Sequence, residues 1–305
     1  MMKKFYQNNK ICLYCGDVLE TLKTLDNESV QCCITSPPYY GLRDYGVDGQ
    51  LGIETTPFEY IDKLLVIFEE LKRVLKKDGT FWLNVGDSYV SKPTGSLGNC
   101  TGEKYGFGKD HKHQKNASYR IDKTGFGIPE KNLIGIPWRI AFGLQDHNWI
   151  LRQDIIWEKL NPMPESVKSR CTKAHEYLFL LAKNQNYYFD HNAIQEPIET
   201  IECEEDLFGF KKETIIKSRN KRSVWQIANE PYKGEHVAPF PTKLVEPCIL
   251  SGTKEGDTVI DIFNGVGTTG LVAMKYNRNY IGIDINEKYL NLTLKRFGFN
   301  EEFII

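Results

Sequence analysis

Apolar residues along the chain fall into short runs set apart by glycine, proline and polar turns. Residues 30–34 form a mostly apolar run, the pattern of a buried strand. Thr56-Pro57-Phe58-Glu59 predicts a helix start, with Thr56 as N-cap, proline in first position and Glu59 three residues after the cap. Phe58, Ile61, Leu65, Phe68, Leu71 and Leu75 then recur at helical spacing, and Gly79 is expected to stop the helix after a lysine-rich last turn. Residues 80–85 predict a second buried strand. Upstream, residues 11–19 read as a strand running through Gly16-Asp17 into a short helix. Downstream, a helix is predicted over 138–145 and strands over 152–157 and 177–181. A helix over 241–250, a strand over 258–263, a helix through Lys275, a strand over 280–285 and a helix over 286–297 complete the series. This alternation predicts a doubly wound, mostly parallel α/β fold.

Two stretches break the pattern. Residues 91–132 are rich in Gly, Lys, Asn and Ser and predict a long, lid-like loop. Residues 190–230 lose periodicity, and Lys211, Lys212, Lys217, Arg219, Lys221 and Arg222 make this the most basic stretch, with Trp225 close behind. It reads either as a solvated insertion or as a phosphate-contacting segment. The 305 residues are 41% hydrophobic, enough for one large α/β domain or two smaller ones. A net charge of −1 means that nucleic-acid binding would need a local basic patch. The N-terminus has no signal-peptide pattern and no run reaches the ~20 apolar residues of a membrane helix, so a cytoplasmic location is expected. Eight scattered cysteines fit reduced thiols there. Cys12 and Cys15 form a C-x-x-C, but only Cys100, His111 and His113 could join them, and no metal is expected.

Ile34-Thr35-Ser36-Pro37-Pro38-Tyr39-Tyr40 ends the first buried strand with a hydroxyl, two prolines and two aromatic rings. The proline after Ser36 forces it toward an extended conformation, and the two prolines fix φ and offer carbonyls without N–H groups. The product is a stiff platform with an aromatic face, or simply a Pro-Pro turn. Gly265-Val266-Gly267-Thr268-Thr269-Gly270 fits G-x-G-x-x-G between a strand and a helix, and Asp284 ends the next strand at the spacing of a ribose-binding acid. A nucleotide-like cofactor is therefore expected. NAD fits poorly, because few βα units follow and Asp261 and Phe263 suit an amine and an adenine better than a pyrophosphate. An NAD-linked oxidoreductase stays open as the distant alternative, as does a catalytically inactive DNA-binding module.

These residues resemble the DNA amino-methyltransferases. Ile34-Thr35-Ser36-Pro37-Pro38-Tyr39 is similar to their catalytic motif, and Asp261 to Thr269 is similar to their S-adenosylmethionine motif. The order, catalytic motif first, is that of the circularly permuted β group. The likeness covers most of the chain. It includes Leu13 to Asp17, Asp154 to Lys159 with Asn161 to Pro164, and His236 to Pro241 with Lys243-Leu244. Ile262 stands where the family usually has proline, and Val266 where it has a small residue.

The resemblance implies a seven-stranded Rossmann-like sheet with a catalytic half over 1–190, a target-recognition insertion over 191–229 and a cofactor half over 230–305. It implies Ser36, Pro37, Pro38 and Tyr39 as catalytic residues. It implies Asp17, Pro241, Lys243, Leu244, Asp261, Phe263, Gly265, Gly267, Thr268, Thr269 and Asp284 around S-adenosylmethionine. Tyr40, Trp157, Lys159, Asn161, Lys221 and Arg222 are expected at the target base or DNA. The implied substrate is double-stranded DNA with a flipped base. Serine ahead of Pro-Pro-Tyr resembles the cytosine-N4 enzymes, with adenine-N6 as the alternative. A bacterial or phage origin and a cognate restriction endonuclease go with the family. Monomer and homodimer both stay open.

Overall fold

The computed structural model describes residues 3–92, 123–206, 209–230 and 239–299. In chain order the elements are β1 (Lys3–Gln7), β2 (Ile11–Cys15), α1 (Val18–Leu22), β3 (Val30–Thr35), α2 (Pro57–Val74) and β4 (Leu75–Val85). Then come α3 (Ile136–Asp146), β5 (Ile150–Lys159), β6 (His175–Ala182), β7 (Glu196–Asp206), β8 (Gly209–Arg219) and β9 (Val224–Ile227). The last are α4 (Thr242–Gly252), β10 (Thr258–Asp261), α5 (Thr268–Lys275), β11 (Asn279–Asp284) and α6 (Glu287–Arg296).

Nine strands form one sheet in the order β1-β2-β11-β10-β3-β4-β6-β5-β9. Strands β2 to β4 of that order are all parallel, while β6 runs antiparallel to both its neighbours. The expected seven strands are present, and short edge strands β1 and β9 bring the sheet to nine. Every residue of β3 is buried, because helices cover both faces of the sheet. Alternation sorts the side chains. Cys33, Phe81 and Leu83 join the core under α1, α2 and α3, while Cys32, Ile34 and Trp82 join the core under α4, α5 and α6.

Helix α2 starts as its sequence predicts, with the Thr56 side chain accepting from the Glu59 N–H. It does not end at Gly79. It ends at Val74, because Leu75 turns extended and pairs with Val30. Gly79 lies inside β4 at an irregularity in this register, where an added Cβ would stand 3.0 Å from the Gln31 carbonyl.

The stretch expected to be an irregular insertion contains a hairpin. β7 and β8 pair antiparallel from Glu196–Arg219 to Asp206–Gly209 and form their own two-stranded sheet. β9 then returns to the main sheet beside β5, so the separate unit is shorter than 191–229. Residues 93–122, which hold most of the expected lid together with Cys100, His111 and His113, lie outside the described residues. The two described ends of that stretch run side by side, with the Lys123 N–H donating to the Ser91 carbonyl at 3.1 Å. Among the described residues, no helix is long and apolar enough to cross a membrane.

Candidate active site

From β10, the chain passes through α5 to β11 on one side. From β3, it passes through α2 to β4 on the other. The winding reverses between these neighbours, and this is where open α/β sheets bind ligands. A cavity of about 420 Å³ opens here beyond the carboxyl ends of the strands.

One wall follows β10. Gly265 and Gly267 have φ of +51° and +73°. At Gly267 a Cβ would also come within 2.5 Å of Thr293, so glycine is required by both conformation and space. Asp284 accepts from the Gly265 N–H at 2.7 Å and the Asn286 N–H at 2.8 Å, which braces this loop against β11. Asp261 is 1% exposed and accepts from Thr35 Oγ1 at 2.5 Å, Thr269 Oγ1 at 2.8 Å and the Phe263 N–H at 3.1 Å. Its carboxylate thus ties the glycine loop to the last residue of β3. Burial pushes Asp261 up to about 6 and Asp284 up to about 7.

These raised values set a stability trend. Between about pH 4 and pH 7 the folded protein holds protons that the unfolded chain has already released, so stability falls as pH rises. The thermal midpoint of the ligand-free protein is expected to be higher at about pH 5 than at about pH 8, and Asp284→Asn should flatten the slope. A midpoint that climbs over this range would contradict the assignment.

The opposite wall follows β3. Ser36, Pro37, Pro38 and Tyr39 all line the cavity, and the Tyr60 hydroxyl donates to the Pro38 carbonyl at 2.8 Å. The Tyr39 phenol donates to Glu176 Oε2 at 2.6 Å. Burial, and after it the charge and hydrogen bond of Glu176, raise the phenol well above its usual value. Glu176 also pairs with Lys159, whose ammonium lies 4.5 Å from the Trp157 ring centroid.

Of the expected cofactor residues, Asp17, Asp261, Phe263, Gly265, Thr268 and Asp284 line the cavity. Asp17 also caps α1 by accepting from the Glu20 N–H. Gly267 and Thr269 shape the loop from behind. Pro241, Lys243 and Leu244 do not reach the cavity. Pro241 precedes α4 and is buried, Leu244 packs in the core and Lys243 faces solvent. The residues that reach it from this segment are Pro239 and Phe240. His236 to Ala238 lie outside the described residues.

Of the expected target-base residues, Trp157 and Lys159 line the cavity, although the Trp157 indole N–H is already donated to the Ile227 carbonyl. Tyr40 is 2% exposed and packs on Tyr60, on the core side of the platform rather than the open side. Asn161 does not line the cavity but accepts from the N–H of Asn229, which does. Lys221 and Arg222 gather around Glu196 at the base of the hairpin, away from the cavity. Sequence reading missed Asn84, Glu176, Asn229, Tyr45 and Tyr289, all in the lining. Glu176, a charge at the head of an apolar strand, was the one detectable signal.

A family model described as DNA methylase, of the N6/N4 class, matches residues 30–295. The chain belongs to this DNA methylase family. The methylase is 44% identical to the type II methyltransferase M.Cfr9I of Citrobacter freundii, over 94% of this chain and 88% of that protein. It is likewise 44% identical to the type II methyltransferase M.SmaI of Serratia marcescens, over 92% and 88%. Its fold matches the PvuII cytosine-N4-specific DNA methyltransferase with a TM-score of 0.67, at 23% identity over 98% of this chain and 90% of that one. It also matches a DNA modification methylase of Thermus thermophilus, solved with S-adenosylmethionine, with a TM-score of 0.60, at 20% identity over 95% and 93%.

One glycine of the methylase tests the wall that carries Ser36 to Tyr39. A Cβ on Gly86 would stand 2.6 Å from the Tyr39 ring. Gly86→Ala is expected to push the ring off its Glu176 partner and to destabilise the fold by about 1–2 kcal/mol through overpacking. Urea unfolding and initial methylation rates check both effects, with an activity loss of about tenfold expected, roughly that free energy expressed as a rate.

Proposed function

We propose that this methylase transfers the methyl group of S-adenosylmethionine to the N4 amine of a cytosine within a specific sequence of double-stranded DNA. The observation that carries this is the single cavity with Ser36-Pro37-Pro38-Tyr39 on one wall and the Asp261 to Thr268 loop with Asp284 on the other. The glycine-lined loop with its two left-handed residues leaves room for backbone contact, and Asp17, Phe263, Asp284 and Phe240 give the acidic and aromatic lining that an amino-acid nucleoside needs. When bound there, S-adenosylmethionine supplies an electrophilic methyl group on a sulfonium.

An exocyclic amine is a poor nucleophile, because its lone pair delocalises into the ring. In this reading Ser36 Oγ and the Pro37 carbonyl accept its two N–H groups, which favours a pyramidal nitrogen and frees the lone pair. The prolines and the Tyr60 anchor keep these acceptors in place before the base arrives. Tyr39 and Trp157 offer ring surface to a base that must leave the duplex to reach the cavity. The β7–β8 hairpin, with Lys217 and Arg219 on its second strand, is the segment that reads sequence and contacts phosphate. Serine at the head of the motif and the likeness to a cytosine-N4-specific fold favour cytosine over adenine. The type II relatives support a cognate restriction endonuclease as partner.

Mass spectrometry of nucleosides from DNA incubated with the pure protein and S-adenosylmethionine tests the reading. N4-methylcytosine is expected. N6-methyladenine would keep the cofactor and the mechanism but overturn the base. Absence of any methylated nucleoside would return the glycine loop to the NAD reading.

A further inference from the structure

The chain that leaves β5 sets an apolar side chain at the mouth of the cavity. Met163 lines the cavity and is nevertheless 84% exposed, the most exposed large apolar side chain among the described residues. Trp157 and Lys159, just before it on β5, line the cavity too. Leu160 and Val167, on the same connection to β6, are also exposed.

This connection is braced where an exposed loop would ordinarily give way. Pro162 and Pro164 flank Met163; each fixes its own φ, and Pro164 keeps Met163 extended. On the near side, Asn161 and Asn229 are joined by three bonds. The Asn229 N–H donates to Asn161 Oδ1 at 2.7 Å, Asn229 Nδ2 to the Asn161 carbonyl at 3.2 Å, and Asn161 Nδ2 to the Asn229 carbonyl at 3.3 Å. On the far side, Arg170 donates to Glu165 Oε2 at 2.6 Å, and its guanidinium lies 4.2 Å from the Tyr89 ring centroid. Lys173 closes the connection by donating to the Asp87 carbonyl at 3.1 Å. Apolar surface held in water is unfavourable, and these braces oppose the collapse that would cover it.

We propose that Met163 is a wedge that enters the base stack of double-stranded DNA at the gap the target base leaves when it turns into the cavity. This rests on the methyl-transfer reading above, which needs that base outside the duplex. A vacated position opens the apolar faces of the two flanking base pairs to water, and the base closes the gap again when it returns. An apolar side chain in the gap covers those faces and holds the open state, a use that methionine shares with the other apolar residues found between unstacked steps. Its unbranched thioether chain is slender and adapts to an irregular space. A side chain at the mouth of the cavity meets the duplex where the base departs, whereas one at the floor meets the base itself. Lys168, exposed on the same loop, supplies a charge for the neighbouring phosphates. Met163 touches no reacting atom in this role, so it is a positioning residue.

The test uses a synthetic duplex that holds the sequence the wild type methylates, read first from its product DNA. Single-turnover rates are measured at saturating protein and S-adenosylmethionine on two forms of it. One is fully paired, and the other has an abasic site opposite the target base, where no pairing is left to break. Met163→Ala is expected to be slower by roughly thirtyfold on the paired duplex, a part of the cost of extruding a base, and within about threefold of wild type on the abasic one. Met163→Leu keeps an apolar wedge and should recover most of the paired-duplex rate. 2-Aminopurine at the target position should brighten on binding the wild type and much less on binding Met163→Ala. A loss of equal size on both duplexes would put Met163 at the base or the cofactor and overturn the wedge, and so would a paired-duplex rate near wild type. If Met163→Ala folds poorly, Met163→Gln, of similar length but polar, is expected to show the same split between the two duplexes, and its absence would count against the proposal equally. A wild-type protein that leaves no methylated nucleoside in any DNA would overturn the function itself, an outcome seen before any variant is made.

Discussion

Ser36→Ala is expected to slow the methyl-transfer step about a thousandfold while leaving the binding of S-adenosylmethionine and DNA near wild type. The Ser36 hydroxyl lines the cavity and is the only part of the platform that the change removes. Pro37 and Pro38 keep their backbone angles, and Tyr60 still holds the Pro38 carbonyl at 2.8 Å. The effect should therefore fall on the reacting amine and not on the fold. Single-turnover kinetics beside equilibrium binding separates the two. A variant that transfers methyl at the wild-type rate would remove Ser36 from the mechanism.

Asp261→Ala is expected to destabilise the protein by about 3 kcal/mol and to abolish measurable cofactor binding. The Thr35 hydroxyl loses its carboxylate acceptor, and the Thr269 hydroxyl and Phe263 N–H fall back on longer bonds to the Ile34 carbonyl at 3.4 Å and Thr35 Oγ1 at 3.2 Å. The glycine loop also loses its tie to β3. Asp261→Asn keeps the shape and one carbonyl oxygen, and its amide can donate to the Thr269 hydroxyl. It should stay within about 1 kcal/mol of wild type, the worth of one ordinary hydrogen bond. Denaturant unfolding and calorimetric titration with S-adenosylmethionine read both. Equal behaviour of the two variants would mean that the carboxylate charge, not the hydrogen-bond cage, holds the loop.

Legibility in the sequence followed how local each signal is. The Thr56 cap, the helical spacing of α2 and the alternation of strands and helices are local, and they appear where the pattern puts them. Ser36 to Tyr39 and Asp261 to Thr268 stand out in the sequence because each group is contiguous, and residues of both line one cavity. The end of α2 does not stand out, because Leu75 leaves the helix to pair with Val30, and strand pairing overrides what Gly79 and the lysines suggest. The sequence does not show that Tyr40 turns into the core beside Tyr60 while its neighbour Tyr39 faces the cavity. Nor does it show that this segment touches the cavity just before α4 starts, at Pro239 and Phe240, and not at Pro241, Lys243 and Leu244. Glu176 and Asn84 come from two different strands and meet Tyr39 only through the sheet register. The charge of Glu176 at the head of an apolar strand marks it out, but which residue it meets follows from the register alone.

The strand order also constrains how the protein is made. β2 and β3 follow one another in the chain, yet β11 and β10 stand between them in the sheet. While a ribosome is still translating, β3 carries the catalytic platform on an open edge, and the strands that fill the gap are residues 258–284. The pairing of β2 with β11 and of β3 with β10 thus waits until residues 258–284 are made, a non-local assembly of the slow kind. Until then Thr35 has no Asp261 carboxylate to donate to, and the two walls of the cavity cannot face each other. Chaperone demand should be concentrated in that same interval, on the exposed edges of β2 and β3.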